Sequence, residues 1–193
     1  MIKDILAHKD LTREERQELH EWIDNVEALQ KMHDNLMAMP EARRVMEWEG
    51  ETEVALFAED EATGLQMKGR LDKLSSDDAG RYVIPEIKTC ADPSDFERTA
   101  SALGYYIQDA FYRNLVKLTT GEDATFLFIA VGTSEPYAVR VGYLDDEAKR
   151  KGEEEMRKLL DFYAWCIAQP ELPAHKISEA KRVGLEQFKL RIW

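Results

Sequence analysis

At 193 residues the chain is long enough for one domain with a sizeable core. Its formal net charge of −12 excludes a protein coated with nucleic-acid-binding residues. No run of 18 apolar residues occurs, so no membrane span is expected, and the N-terminus lacks the features of a signal peptide. Cys90 and Cys166 are expected to be free thiols, as is usual in the cytoplasm.

The N-terminal quarter is predicted to be helical. Apolar residues recur at three- and four-residue steps between residues 11 and 39, and Thr12 with Glu15 predicts a capping box at the start. Pro40 is placed to begin a second helix that continues to Trp48. The histidines of this region have no ligand-spaced partner and are expected at the surface: His8, His20 and His33.

Three strands are predicted next, over residues 53–58, 65–74 and 81–88. Polar turns at residues 60–64 and 75–80 separate them. Because Pro85 cannot donate a hydrogen bond, the third strand is expected to be bulged or partly unpaired there.

The second half is predicted to add a helix, two strands and a helix. A helix over residues 94–118 begins at a capping box of Ser94 and Glu97 and carries one stripe of polar and aromatic side chains: Arg98, Ser101, Tyr105, Gln108 and Tyr112. Strands follow over residues 124–131 and 136–143. The last helix, over residues 145–169, is expected to face inward with Met156, Leu159, Leu160, Tyr163 and Ile167, before a short helix or strand that ends at Trp193.

This order of elements predicts an α/β fold with a mixed β-sheet flanked by helices. The crossover from the third to the fourth strand is expected to be parallel and right-handed. We expect one domain over residues 1–193, with a helical part to residue 50, a catalytic core over 51–143 and a helical part from 144 onward.

The chemistry is expected on the second and third strands. Glu86 and Lys88 are two residues apart, so they share one face of a strand, and Asp72 lies on the strand before. Two carboxylates and an ammonium group in one place can hold Mg²⁺ or Mn²⁺. The alternative is a cross-strand ion pair of little energetic value on a solvent face.

Three short segments carry a family resemblance: GRLDK at residues 69–73, PEIKT at 85–89, and GYYIQ at 104–108 followed by Tyr112. They resemble the PD-(D/E)XK nuclease core, and residues 32–118 are similar to RecE-type (exonuclease VIII) phage exonucleases, relatives of lambda exonuclease. The resemblance implies that Asp72, Glu86 and the Ile87 carbonyl hold Mg²⁺, with Mn²⁺ as a substitute. Lys88 would help to deprotonate the attacking water, and Gln108 and Tyr112 would contact the substrate or order water.

Further residues have two open interpretations each. Glu53 is an accessory acid near the metal or a solvent-facing glutamate, and Arg70 contacts phosphate or forms a salt bridge. Arg98 is a candidate for holding a terminal 5′ phosphate, because guanidinium matches phosphate bidentately. Tyr105 contacts DNA or packs in the core. RecE-type relatives often carry a histidine in an early helix, which is not found here, so no histidine is assigned to the site.

The resemblance implies a Mg²⁺-dependent exodeoxyribonuclease that degrades duplex DNA from its ends, 5′-to-3′, and leaves 3′ single strands for phage-type recombination. It also implies a ring of three or four subunits, a single-strand annealing protein as partner, and the cytoplasm of a bacterial host cell. Residues 66–118 hold eight Lys and Arg against eight Asp and Glu, so the surplus acid lies outside the candidate site.

Three alternatives remain. A Cas4- or RecB-like nuclease of other polarity is disfavoured, because two cysteines cannot supply the four ligands of an iron–sulfur cluster. A non-catalytic module that binds DNA ends would have no reason to keep Asp72, Glu86 and Lys88 together. In the third alternative, an N-terminal segment that carries the family histidine has been removed, so that the chain folds but works poorly.

Overall fold

A computed structural model describes residues 12–169, and within them a five-stranded sheet lies between helices. The helices are α1 (Arg13–Ala38), α2 (Pro40–Glu47), α3 (Phe96–Ala102), α4 (Tyr105–Thr120) and α5 (Asp146–Ile167). The strands are β1 (Gly50–Asp60), β2 (Leu65–Ser76), β3 (Tyr82–Cys90), β4 (Ala124–Gly132) and β5 (Val139–Gly142). The α/β class is therefore as predicted. The order of elements also follows the prediction, except that two helices, α3 and α4, stand where one was expected, and β1 is longer and β5 shorter than expected.

The sheet is mixed and its strands follow chain order, β1-β2-β3-β4-β5. β3 and β4 run parallel, with a register that continues from Tyr82 opposite Ala124 to Cys90 opposite Gly132, and α3 and α4 form the connection between them. The other neighbouring strands are antiparallel. The predicted parallel pairing is confirmed.

Alternation along β4 divides the core between the two faces of the sheet. Phe126 and Phe128 pack on the face covered by α3 and α4, together with residues such as Leu71, Ile84, Phe96 and Tyr106. Ile129 and Val131 point to the other face, where they meet Leu36 of α1 and Ala42 and Val45 of α2.

The predictions for the N-terminal helices are confirmed where the structure describes them. The Thr12 side chain accepts a hydrogen bond from the Glu15 backbone, and the Glu15 carboxylate accepts one from the Thr12 backbone. Pro40 occupies the start of α2. His20 and His33 are exposed, whereas His8 lies outside the described residues.

The prediction of one helix over residues 94–118 is wrong. Gly104 has a φ of 70°, in the left-handed region that glycine adopts most easily, and it separates α3 from α4. The capping box of Ser94 and Glu97 is also wrong, because the Asp92 side chain accepts from the Ser94 backbone at the start of a 3₁₀ turn (Pro93–Asp95). Arg98 therefore lies on α3 and shares no helical stripe with Gln108.

The face of α5 that meets the core also differs from the prediction. Ala148, Gly152 and Glu155 are buried, while Leu159, Tyr163 and Ile167 are exposed. Backbone contact decides this, since a Cβ atom on Gly152 would lie 2.2 Å from the Tyr106 carbonyl oxygen. Two half-buried residues, Met156 and Leu160, follow the prediction in part. The element predicted to end at Trp193 lies outside the described residues.

The strand β3 was predicted to be bulged or partly unpaired at Pro85, and it is partly unpaired there. Between β2 and β3 only Ser75 opposite Val83 and Ser76 opposite Tyr82 are paired, so β3 is unpaired at Pro85 on this side. On the β4 side the register passes through Pro85 without interruption, so no bulge occurs there. Both cysteines are free, as predicted. None of the helices in residues 12–169 has the length and apolar character to cross a bilayer.

Candidate active site

A buried carboxylate lies at the centre of the candidate site. Glu86 is only 5% exposed, because the alternation of β3 turns it with Ile84 toward α4. Lys88 Nζ lies 2.7 Å from Glu86 Oε1, and Gln108 Nε2 on α4 donates to the same oxygen at 2.8 Å. Both hydrogen bonds go to Oε1, and Oε2 accepts none from the part of the chain that the structure describes. The structure thus brings together three of the predicted residues.

An aromatic ring holds the Lys88 ammonium group from a second direction. Lys88 Nζ lies 4.6 Å from the centre of the Tyr105 ring, which is near enough for a cation–π interaction. Tyr105 itself stacks on Phe128 with ring centres 6.0 Å apart. Of the two interpretations of Tyr105, this packing favours a core residue that also contacts Lys88.

Two of the three predicted acids lie on strands that pair with each other. Thr52 pairs with Lys73 and Val54 with Leu71, so Glu53 and Asp72 occupy the same step of the β1–β2 register. β2 and β3 pair only at Ser75–Val83 and Ser76–Tyr82, so their pairing ends before it reaches Asp72 and Glu86. Asp72 is exposed, and Glu53 has a φ of 56°. Across residues 12–169, no three His, Cys, Asp or Glu side chains gather closely enough to hold a metal ion.

Arg70 and Tyr112 connect β2 to its neighbours β1 and α4 near Asp72. Arg70 Nε lies 2.9 Å from Glu53 Oε2, so the structure shows the salt bridge that was one of the two interpretations of Arg70. The Tyr112 hydroxyl donates to the Arg70 carbonyl oxygen at 3.1 Å. Gly69 lets the Tyr112 ring lie against the strand, because a Cβ atom there would be 3.1 Å from that ring.

Arg98 is not brought to Glu86. It lies on α3 with its side chain 80% exposed, and its guanidinium group is 2.6 Å from Asp95. The break at Gly104 is the physical reason, because it turns α3 away from the line of α4.

Sequence reasoning missed an open cleft next to the site. It has a volume of about 600 Å³ and lies between α4, α5 and residues 68–70 of β2. Gln108 lines it, so the cleft begins at the residue that bonds to Glu86. The apolar residues of α5 that were assigned to the core, Met156, Leu159, Leu160 and Tyr163, line this cleft. The helix α5 carries more large apolar residues than its buried face can cover. That surplus was the feature of the sequence that could have indicated the cleft.

A second buried acid was also missed. Asp109 on α4 is fully buried, and Arg113 Nε lies 2.7 Å from its Oδ1. Burial raises the pKa of Asp109 to about 6, which outweighs the lowering effect of the nearby Arg113 charge. Its Oδ2 and the Nη2 of Arg113 are buried without a partner within the described residues.

The three predicted metal ligands fit a hard divalent cation by their chemistry. Asp72 and Glu86 offer carboxylate oxygens and Ile87 a backbone carbonyl, which are the donors that Mg²⁺ and Mn²⁺ take. The hydrogen bonds of Glu86 agree with this, since Lys88 and Gln108 both bind Oε1 and no residue within 12–169 forms a hydrogen bond to Oε2. Glu53 pairs with Arg70 and would have to leave that salt bridge to take part.

Comparison with solved structures shows the fold. The crystal structure of a protein from Eubacterium rectale, named "Putative exonuclease", has a TM-score of 0.52 and 21% identity, over 76% of this chain and 60% of that protein. The chain thus spans less than two-thirds of that neighbour's length. A second structure, SSO0001, shares 15% identity over 79% of this chain and 81% of its own, and its TM-score of 0.39 carries no argument.

No curated protein matches the sequence significantly. A family description does match, over residues 4–181, which is most of the chain. The mixed sheet and the Glu86-Ile87-Lys88 segment on β3 agree with this description. The chain belongs to the family of PDDEXK-like domains of unknown function (DUF3799).

Proposed function

We propose that the protein is a Mg²⁺-dependent exodeoxyribonuclease that degrades linear duplex DNA from its ends. The observation that carries the proposal is the buried Glu86 carboxylate, whose Oε1 holds both Lys88 and Gln108 in a PDDEXK-like fold. A surface ion pair would not need burial to 5% exposure or a third partner from another element. The arrangement therefore favours chemistry over a simple salt bridge.

Each of the predicted residues is proposed to have one role. Asp72, Glu86 and the Ile87 carbonyl would hold the cation, which when bound neutralises charge on the scissile phosphate and lowers the pKa of an attacking water. Lys88, fixed by Glu86 and the Tyr105 ring, orients that water and helps to remove its proton. Gln108 fixes the Glu86 carboxylate, so that Oε2 keeps one direction. Tyr112 fixes the backbone of β2 next to Asp72.

End-dependence, 5′-to-3′ polarity and a role in phage-type recombination are proposed by similarity to RecE-type enzymes. The neighbour from Eubacterium rectale, which bears an exonuclease name, agrees with end-dependent cutting. By the same similarity we propose a ring of three or four subunits, a single-strand annealing protein as partner and action in the bacterial cytoplasm.

The decisive experiment is digestion of end-labelled linear duplex DNA with Mg²⁺ or with EDTA. We expect release of 5′-phosphorylated nucleotides with Mg²⁺, loss of activity in EDTA and recovery with Mn²⁺. Covalently closed circular DNA should resist digestion. Cutting of closed circles would replace the exonuclease with an endonuclease, and activity that persists in EDTA would contradict the role of the metal.

Substitution of Lys88 tests the assignment of the site. We expect Lys88→Ala to lower the rate by a factor of roughly 10² to 10⁴, the usual contribution of a positioned acid–base group. Lys149→Ala is the matched control, because Lys149 also lies near a tyrosine ring, 5.5 Å from the centre of Tyr143, but sits on α5 away from β3. Equal activity of both variants would remove Lys88 from the mechanism.

A further inference from the structure

The N-terminal half of α1 projects beyond the rest of the fold. Of the 26 residues in this helix only Leu36 is buried, near its C-terminal end, where it packs with Ala42 and Val45 on the sheet. From Leu36 back to Arg13 an α-helix extends about 35 Å. Because helices in proteins are stabilised mainly by packing of an apolar face, the projecting half receives little support from its own copy of the chain.

An apolar stripe runs along the projecting half of α1. Its members are three, four and three residues apart, which places them in one row on a helix: Leu19, Trp22, Val26 and Leu29. Trp22 is 53% exposed and Leu29 is 62% exposed, although both side chains are large and apolar. No element within residues 12–169 covers this stripe, so it is a surface suited to an apolar partner.

The charge around the stripe indicates the chemistry of that partner. Residues 13–29 hold six acidic residues and two arginines, a net charge of −4. Glu18, Asp24 and Glu27 form no salt bridge with any residue that the structure describes. Two copies of α1 placed side by side would repel each other, because like charges would face like charges. A segment that is both apolar and basic would instead be attracted.

The chain contains a segment of this kind. Residues 174–193 hold five lysines and arginines against two glutamates, and apolar side chains recur in them at three- and four-residue steps, at Leu185, Phe188 and Ile192. Residues 1–11, by contrast, have two lysines and two aspartates, so their charge does not complement α1. The helix α5, which leads to the basic segment, packs on the face of the sheet opposite α1. A contact between copies avoids the path around the sheet that a contact within one copy would need.

We infer that residues 174–193 of one copy bind the apolar stripe at residues 19–29 of α1 in a second copy. The two surfaces differ, so the contact is head-to-tail and can repeat from copy to copy until a ring closes. The inference deepens the proposed ring of subunits and rests on that part of the proposed function, and it does not depend on hydrolysis of DNA.

Sedimentation velocity of the full chain over a series of concentrations tests the inference. Trp22→Glu places a charge in the stripe and Phe188→Glu places one in the basic segment. We expect each variant alone to associate more weakly than wild type by roughly tenfold or more, as for loss of a central apolar anchor. An equimolar mixture should form dimers, because the intact stripe of Phe188→Glu meets the intact basic segment of Trp22→Glu. These dimers should not extend further, since their remaining surfaces are both altered.

Leu29→Glu is a second variant of the stripe, and Leu103→Glu is its matched control. Both leucines are 62% exposed, but Leu103 follows α3 and lies outside the stripe. Leu29→Glu should weaken association as Trp22→Glu does, whereas Leu103→Glu should associate as the wild type does. Circular dichroism of each variant checks that its helices are kept.

A wild-type protein that stays monomeric, or folded variants that do not form dimers when mixed, would overturn the inference. Assembly of Phe188→Glu to the wild-type size would also overturn it, because the basic segment would then not be the partner of the stripe. A monomer that digests linear DNA with Mg²⁺ would contradict this contact and leave the nuclease standing. A protein that assembles through the stripe and hydrolyses no DNA would support the contact and contradict the nuclease.

Discussion

Glu86 shows how a single side chain can be fixed without occupying all its oxygens. Its two hydrogen bonds, from Lys88 and Gln108, converge on Oε1 at 2.7 and 2.8 Å. Burial makes each bond matter more than it would on the surface, because water cannot replace a lost partner. The three side chains should therefore act as a unit.

Gln108→Ala is predicted to lower the rate of DNA hydrolysis by roughly 10- to 100-fold, as expected for loss of a group that orients a metal-binding side chain. The Mg²⁺ concentration for half-maximal rate should rise as well, because Glu86 would lose its fixed direction. The rate and the half-maximal Mg²⁺ concentration are both measured by following nucleotide release at a series of Mg²⁺ concentrations. Gln66→Ala is the control, since Gln66 bonds to a surface glutamate, Glu59, at 2.6 Å. If the two variants behave alike, the Gln108–Glu86 bond has no role in the reaction.

Asp109 gives a pH-dependent contribution to stability. Its pKa is raised by burial to about 6 in the folded protein, against about 3.9 for an unfolded aspartate. Between these values the folded state binds more proton than the unfolded state, so this group makes the protein less stable as pH rises from about 4 to 6. The facing groups are Arg113 and, from α5, Lys149 and Glu153.

Asp109→Asn is predicted to remove that dependence. From pH 4.5 to pH 7 the free energy of unfolding of the variant should gain about 2 kcal/mol relative to wild type, since neutral Asn pays no cost for ionisation in the core. Urea unfolding of both proteins at the two pH values measures this difference, and other carboxylates cancel in it. A difference that is the same at both pH values would show that Asp109 is not the titrating group.

Spacing in the sequence was sufficient to put Glu86 and Lys88 on one face of a strand, because strand alternation acts over a few residues, whereas Gln108 was assigned to the site by the family resemblance. It failed for Arg98, since one left-handed residue, Gly104, redirects the chain between α3 and α4. The sequence pattern alone does not predict whether a glycine inside a helical segment will break the helix. The positions of Asp72 and Glu53 depend on where β2 leaves β3, which no local pattern encodes.

The contact between α4 and α5 depends on the absence of a side chain. Gly152 lies in the middle of α5, where helix propensity alone would favour alanine by about 1 kcal/mol. A Cβ atom there would lie 2.2 Å from the Tyr106 carbonyl oxygen and 3.3 Å from the Ala110 side chain. This close approach buries the Ala148, Gly152 and Glu155 face and turns Tyr163 outward. The prediction from apolar periodicity erred because it weighed side-chain hydrophobicity and not backbone contact.

Gly152→Ala is therefore predicted to destabilise the protein by about 3 kcal/mol, the upper range for overpacking, in spite of its better helix propensity. Gly64→Ala is the comparison: Gly64 has a φ of 70° but open space around it, so only backbone strain of about 1 kcal/mol is expected. Urea unfolding measures both. If Gly152→Ala is the more stable variant, α4 and α5 do not approach as closely as the structure shows.

The excess of acidic over basic residues limits which surfaces of the protein can bind DNA. Residues 66–118 are balanced, with eight basic and eight acidic residues, so the net charge of −12 comes from the remainder of the chain. A duplex laid across such a surface would be repelled. Two cations, Lys68 and Arg70, lie near the cleft, and Arg70 is paired with Glu53, so few positive charges there can neutralise phosphates. Binding should depend on few charges.

The salt dependence of DNA binding measures this directly. With one or two phosphate contacts near the cleft, the logarithm of the association constant should fall against the logarithm of KCl concentration with a slope of about −1 to −2, where a broad basic surface would give −6 or steeper. Lys68→Ala should reduce the magnitude of the slope by about 1. Lys31→Ala should leave it unchanged, because Lys31 lies on α1 and pairs with Glu135 at 2.9 Å. A steep slope, insensitive to Lys68, would place DNA on a different surface and separate it from the Glu86 site.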